Sequence, residues 1–337
     1  MSAPKLRTVL TVAGLAAGAA GALYGAERLA AARLRHRPDP DADRTFEPTF
    51  DEARRIDTHD GGSLYTISRG AGPPVLLSHG VTLSTRIWTP QFDVLPDSGL
   101  RVIGFDHRGH GTSLAGTTGH SIDNLADDIR SIIEALDLHD ALVVGHSMGG
   151  IGVQAFAIRH PEVAAARVRG FVLLSTLAKD HFGGSRKLRC VAGRVYDEAF
   201  ALPDPMSMPN LGLVLARFGQ GRHARPSHVE LNRQLIADCD RATRQSAYRA
   251  MLGLDLTPGL PGIRIPTLVI CGTADLITPP RHSRRMAALI PGARLELLKG
   301  GGHMLMLERA DEVNRLLVDF AREVGALASV PAAAAGS

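Results

Sequence analysis

The sequence predicts an α/β fold: a mostly parallel sheet with helices on both faces and a helical cap inserted between two core strands. Three observations carry this. From Pro74 onward, short apolar runs alternate with amphipathic stretches of helical period. One junction, Ala141 to His160, reads as a buried strand, a glycine-flanked turn and a helix in immediate succession. Between about Leu177 and Leu260 the alternation lapses into a stretch rich in Pro, Gly and Arg, with no clear strand and too long for a bare loop.

Residues 1–7 form a basic N-terminus with Lys5 and Arg7. No charge separates Arg7 from Glu27, and residues 8–26 would reach about 28 Å as a helix, close to the thickness of a bilayer core. The expectation is a single-pass membrane helix. Arg28, Arg33, Arg35 and Arg37 on its far side outnumber Lys5 and Arg7, which would keep the rest of the chain on the cytoplasmic face. A cleaved signal peptide followed by secretion, with small residues at Ala17-Gly18-Ala19 or Ala20-Gly21-Ala22, and a flexible arm are the alternatives. Residues 27–50 read as a linker, extended by Pro38, Pro40 and Pro48.

The folded domain is expected over 51–325. Arg54 to His59 and Ser63 to Arg69 flank Asp60-Gly61-Gly62 as a hairpin. Val75 to Ser78 and Arg101 to Phe105 are short apolar strands, ending at His79-Gly80 and Asp106. Ile122, Leu125, Ile129, Ile132, Ile133 and Leu136 fall on one helical face before the strand Ala141 to Gly145 and the helix Ile151 to His160. Phe171 to Ser175, Thr267 to Cys271 and Arg294 to Leu298 are further strands, with helices at Arg281 to Leu289 and Asp311 to Val324. The cap spans about 177–260. Between His181 and Ala250 it holds eleven Lys/Arg against six Asp/Glu, a basic excess that suits a solvated face, anionic lipid or an acidic substrate. Residues 326–337, rich in Ala and Ser, read as a disordered tail.

Composition narrows the function. At 337 residues and 45% hydrophobic, the chain can bury the core of one large domain. Three cysteines without C-x-x-C spacing exclude a disulfide framework and a zinc ribbon, and suit reduced thiols in a cytoplasm. A net charge of +4 and 4% aromatic residues leave little with which to bind nucleic acid. No cofactor is expected: Gly150, Gly152 and Ala155 match a loose dinucleotide pattern, but inside a helix, and no phosphate-binding P-loop occurs. No metal is expected either, since His107 and His110 lack companion ligands.

What remains is the turn Gly145-His146-Ser147-Met148-Gly149, a G-x-S-x-G between strand and helix. That setting pushes a serine hydroxyl out at the top of a sheet and leaves no room for side chains at the two glycines. A serine nucleophile needs a base, and the base an acid to fix its tautomer. Asp275 follows a strand in Gly272-Thr273-Ala274-Asp275, and His303 follows another in Lys299-Gly300-Gly301-Gly302-His303, in the order this topology requires. Asp180, after the preceding strand, is the reserve acid. Oxyanion donors are expected from the backbone N–H of Met148 and from the loop past His79-Gly80, at Val81, with Thr82 beside it.

With these residues in view, the chain resembles the α/β-hydrolase superfamily of serine hydrolases, in the branch holding esterases, monoacylglycerol lipases and cofactor-free haloperoxidases. The matching segments are Ser78 to Trp88, Phe105 to Ser113, Gly145 to Gly150, Cys271 to Pro280 and Gly301 to Glu308, in the family's order. The resemblance implies Ser147 as nucleophile, His303 as base and Asp275 as its acid, and a mainly structural part for Asp106 to Ser113. Epoxide hydrolases and haloalkane dehalogenases of the superfamily carry aspartate where this chain has Ser147. Tyr196 and Tyr248, in the cap, accordingly read as packing, as does Trp88.

The expected activity is cleavage of a carboxylic ester, apolar or lipid-derived, through an acyl-enzyme. Perhydrolysis or acyl transfer from the same intermediate is the alternative within enzymes, and a non-turnover ligand-binding member of the fold is the alternative outside them.

Overall fold

The structure, a computed structural model, describes residues 24–181 and 185–328. Its first element is a helix over residues 24–35 (α1). A hairpin follows, β1 (Glu52–Asp57) and β2 (Ser63–Arg69), then β3 (Pro74–Ser78), the short helix α2 (Thr89–Val94) and β4 (Arg101–Phe105). After these come α3 (Ile122–Ala135), β5 (Ala141–His146), α4 (Met148–Arg159), α5 (Pro161–Arg167) and β6 (Val168–Leu174). Four cap helices follow: α6 (Arg186–Ala201), α7 (Pro209–Ala216), α8 (Pro226–Asp238) and α9 (Arg241–Met251). The chain closes with β7 (Thr267–Gly272), α10 (Pro280–Leu289), β8 (Arg294–Leu298), α11 (Leu305–Glu308) and α12 (Ala310–Glu323).

The eight strands form one sheet in the order β1-β2-β4-β3-β5-β6-β7-β8. β1 and β2 pair antiparallel with each other, and β2 antiparallel with β4; all pairs from β4 to β8 are parallel. The parallel strands alternate their side chains between two cores, as a period of two requires. Val75, Leu77, Val102, Leu142, Val144, Val172 and Leu174 meet α2, α11 and α12 on one face. Leu76, Ile103, Val143, Phe171, Leu173 and Val269 meet α3, α4 and α10 on the other. Every residue of β5 is buried, so the strand carrying the elbow lies within the sheet and has no edge.

The span from 177 to 260 contains no sheet strand among its described residues and holds α6 to α9. The linker expectation over 27–50 needs revision. The chain is helical through residue 35, and Ala31 and Leu34 are buried against Leu213, Ala216, Ala224 and Val229 of the cap. Arg35 donates to Asn210 Oδ1 at 2.8 Å; Asp39 accepts from the Ser227 N–H at 2.6 Å; Asp41 pairs with Arg225 and with His228 Nε2. At the other end Ala326 is buried and Leu327 packs on the core, while residues 329–337 of the expected tail lie outside the described residues.

The membrane anchor is corrected. Among the described residues no helix is long and apolar enough to cross a membrane. Residues 8–23 of the expected span lie outside the described residues, and α1 turns Ala31 and Leu34 toward protein.

Candidate active site

Ser147 stands between β5 and α4 with φ 53° and ψ −116°, backbone angles that a residue with a side chain adopts only under constraint. The constraint comes from β6 and the turn after it. The Ser147 N–H donates to the Leu174 carbonyl at 3.1 Å, and Thr176 Oγ1 donates to the Ser147 carbonyl at 2.6 Å. The flanking glycines are obligatory. A Cβ at Gly145 would lie 2.5 Å from the Gly149 carbonyl oxygen, and one at Gly149 would lie 2.3 Å from the Ser78 carbonyl oxygen.

The structure brings His303 and Asp275 together: His303 Nδ1 donates to Asp275 Oδ2 at 2.9 Å. Both are nearly fully buried, at 5% and 2% exposure. The loop after β7 saturates the carboxylate, Oδ1 taking the Ile277 and Thr278 N–H groups and Oδ2 the Thr278 hydroxyl at 2.8 Å. Burial would raise the Asp275 pKa, but the His303 imidazole and these hydrogen bonds outweigh it and hold it at about 2. A carboxylate so held keeps the proton of His303 on Nδ1 and leaves Nε2 as the basic nitrogen.

The elbow and the histidine loop are joined by a bond that no sequence pattern foretold. His146 Nε2 donates to the His303 carbonyl at 3.0 Å, and the two rings lie 4.7 Å apart. Glu308, the last residue of a family-matching segment and given no role there, accepts from the N–H groups of Gly221, Gly302 and Met304, tying the histidine loop to the cap. A lone acid five residues after His303 was the available signal.

On the opposite side of the elbow, Gly80 sits so close that a Cβ there would lie 3.1 Å from the Ser147 Cβ. His79 Nδ1 donates to the Gly80 carbonyl at 2.7 Å, and its Nε2 accepts from the His107 N–H at 3.0 Å. In a trans peptide the Val81 N–H points opposite to that carbonyl, so His79 sets the direction of the Val81 amide. Thr82 completes the turn at φ 64°, with Leu83 N–H on the Gly80 carbonyl. Met148 opens α4 with its N–H among the unpaired donors of a helix start, and its side chain packs beside Val81.

Asp180 does not pair with His303; it accepts from the Gly253 N–H. His107 and His110 sit among buried imidazoles, His107 bonded to Ser78 Oγ at 2.9 Å, and no metal-binding group of three donors occurs among the described residues. Asp106 braces its loop by accepting from the Thr85 and Thr112 N–H groups. Trp88 is fully buried in the core.

Ser147 and Thr278 line a cavity of about 340 Å³ whose walls are otherwise largely apolar, including Ile151, Leu177, Met251 and Ile277. Tyr196 and Tyr248 also line it, their rings 5.1 Å apart, which corrects their reading as packing alone. The Tyr196 hydroxyl is buried without a hydrogen-bond partner. A half-buried serine lining a cavity from a strained turn, an oriented imidazole and apolar chamber walls are the parts that acyl transfer from a hydrophobic substrate requires.

Comparison with known proteins agrees with this architecture. A family described as the alpha/beta hydrolase family matches residues 75–316. A non-heme haloperoxidase of Rhodococcus erythropolis is 30% identical over 273 residues, covering 79% of this chain and 98% of the relative. A non-heme chloroperoxidase of Kitasatospora aureofaciens is 28% identical over 285 residues, covering 78% and 97%. Among solved structures, a thermophilic esterase from Thermogutta terrifontis superposes with a TM-score of 0.71 at 27% identity, covering 81% of this chain and 99% of that one. An enol-lactonase from Burkholderia xenovorans gives 0.66 at 28%, covering 80% and 99%. Matched along most of its length by that family, and to relatives over nearly all of theirs, the chain belongs to the alpha/beta hydrolase family and is an enzyme of its haloperoxidase-like branch.

Proposed function

We propose that the protein is a serine hydrolase that cleaves apolar carboxylic esters through an acyl-enzyme. Ser147 Oγ attacks the ester carbonyl while its proton passes to His303 Nε2; Asp275 stabilises the imidazolium. The Val81 and Met148 amides hold the developing oxyanion. The imidazolium returns the proton to the departing alkoxide, and water deprotonated by the same nitrogen then releases the acid and restores Ser147. The observation that carries this reading is Thr278. It lines the chamber with Ser147 while its hydroxyl touches both Asp275 and His303, the latter at 3.3 Å. The apolar walls favour a hydrocarbon acyl or alkoxy group over a sugar or peptide.

A fluorophosphonate probe is expected to label Ser147, and Ser147→Ala to lose both labelling and ester turnover. Unlabelled wild-type protein would remove the reading. The haloperoxidase relatives favour a second outcome from the same intermediate, attack by hydrogen peroxide in place of water to give a peracid. Partition of the acyl group between acid and peracid under added peroxide separates the two.

A further inference from the structure

A second cavity, of about 390 Å³, adjoins the first and shares Asp180 and His181 with it. Its chemistry is the opposite of its neighbour's. Arg281, Arg285, His181, His282 and Lys179 line it, against Asp180 as the acid in the wall. Lys179 is neutralised by Asp255 at 2.6 Å, and Asp180 faces Arg189 at 3.7 Å. Arg281 and Arg285 stand one helical turn apart on α10, on one face, and among the described residues neither has an ion-pair partner. The His181 and His282 rings meet edge to face at 4.9 Å, and His282 Nε2 is buried with no partner.

The group carries a positive excess. Burial, then His181, Arg281 and Arg285 push the His282 imidazole down to about 4; burial and Arg281 lower His181 as well. Two uncompensated guanidiniums and a buried orphan nitrogen around one cavity are satisfied together by an oxyanion, which a guanidinium binds through paired N–H donors. Asp180 in the wall disfavours a dianion more than a monoanion, selecting carboxylate over phosphate.

We infer that this second cavity is an anion subsite receiving a carboxylate at the far end of the substrate's acyl chain, so that the preferred esters are monoesters of dicarboxylic acids. The inference rests on the esterase reading for its substrate, and on the cavity alone for its anion.

The test uses 4-nitrophenyl monoesters of dicarboxylic acids, from succinate to suberate, against chain-matched neutral esters. At low salt, kcat/KM for one chain length is expected to exceed that of its neutral match by about tenfold or more, mainly through KM, and the advantage is expected to shrink as salt rises. Arg281→Gln with Arg285→Gln is expected to lower that ratio about tenfold. A ratio unchanged by the double substitution, or one indifferent to salt, overturns the inference. Calorimetry with free dicarboxylates and with inorganic phosphate gives a readout independent of turnover. Dicarboxylate binding lost in the double variant supports the subsite; tighter binding of phosphate, or no difference between the proteins, overturns it. If no ester of either kind is turned over while dicarboxylate binds through the arginines, the esterase reading falls and the anion site stands.

Discussion

His146 Nε2 donates a hydrogen bond to the carbonyl oxygen of His303 at 3.0 Å, so the residue before the proposed nucleophile holds the backbone of the proposed base. The bond crosses from the end of β5 to the loop after β8 and is wholly buried. Replacing His146 by Phe keeps a ring but removes the donor. A shift of the His303 loop of about 1 Å is enough to lower kcat roughly a hundredfold, with KM changed far less. Steady-state kinetics beside a thermal melt check this; a variant that loses stability but keeps kcat would deny His146 the positioning role.

Stability is expected to fall with acid in two stages. His79 and His110 are held neutral by burial at about 4 and about 3, and His107 and His146 are lowered by burial too. Each folded-state value lies below the ordinary 6.5, so the unfolded chain binds more protons as pH falls through that value. Their contribution is complete above about pH 6.5 and declines below it. Asp275, depressed from 3.8 to about 2, adds a second loss below about pH 4. Urea midpoints measured across this range show the course, and His110→Asn is expected to reduce the first slope. A level curve between about pH 6.5 and 4 contradicts the argument.

Glu308→Gln leaves one carbonyl oxygen where a carboxylate receives three N–H donors. Loss of charge-assisted bonds at a buried site costs about 2 kcal/mol, and the freed histidine loop is expected to lower kcat about tenfold. Faster amide exchange at Gly302 and Met304 in the variant would locate the change. Unaltered exchange there, with reduced kcat, would point to a different cause.

Tyr196→Phe removes a buried hydroxyl that makes no hydrogen bond to the described residues. Its unfolding free energy is expected to hold or rise, by up to about 1 kcal/mol, because an unsatisfied polar atom is lost and the ring stays packed on Phe200 and Tyr248. A clear loss of stability on chemical denaturation would mean that the hydroxyl has a partner in solution.

The sheet was readable because its signals are local. Four apolar residues before Gly145 specify a buried strand wherever they occur, and Gly145 and Gly149 are dictated by backbone atoms within a few residues and in the neighbouring loop. Asp275 and His303 were findable for the same reason, each lying just past a strand. The partners that orient them were not. Thr278 earns its place only through the curl of its loop, and His146 only through an atom 157 residues away. The cap resisted for a related reason. Its helices bury partial faces against one another and against α1, and no segment carries the whole pattern. The apolar N-terminal residues matched a membrane period, yet α1, directly beyond them, docks on protein, a choice set by Leu213 and Val229 nearly two hundred residues away.

The docking of α1 and of the two acids beyond it on α7 and α8 has a practical side. The stretch matched by the family begins at residue 75, after β1 and β2, and a chain trimmed instead to the start of β1 at Glu52 would carry an intact sheet and all of its proposed reactive groups. It would lack Asp39 and Asp41, which fasten the start of α8. Such a shortened enzyme would differ from the full chain less in its chemistry than in how firmly α7 and α8 are held.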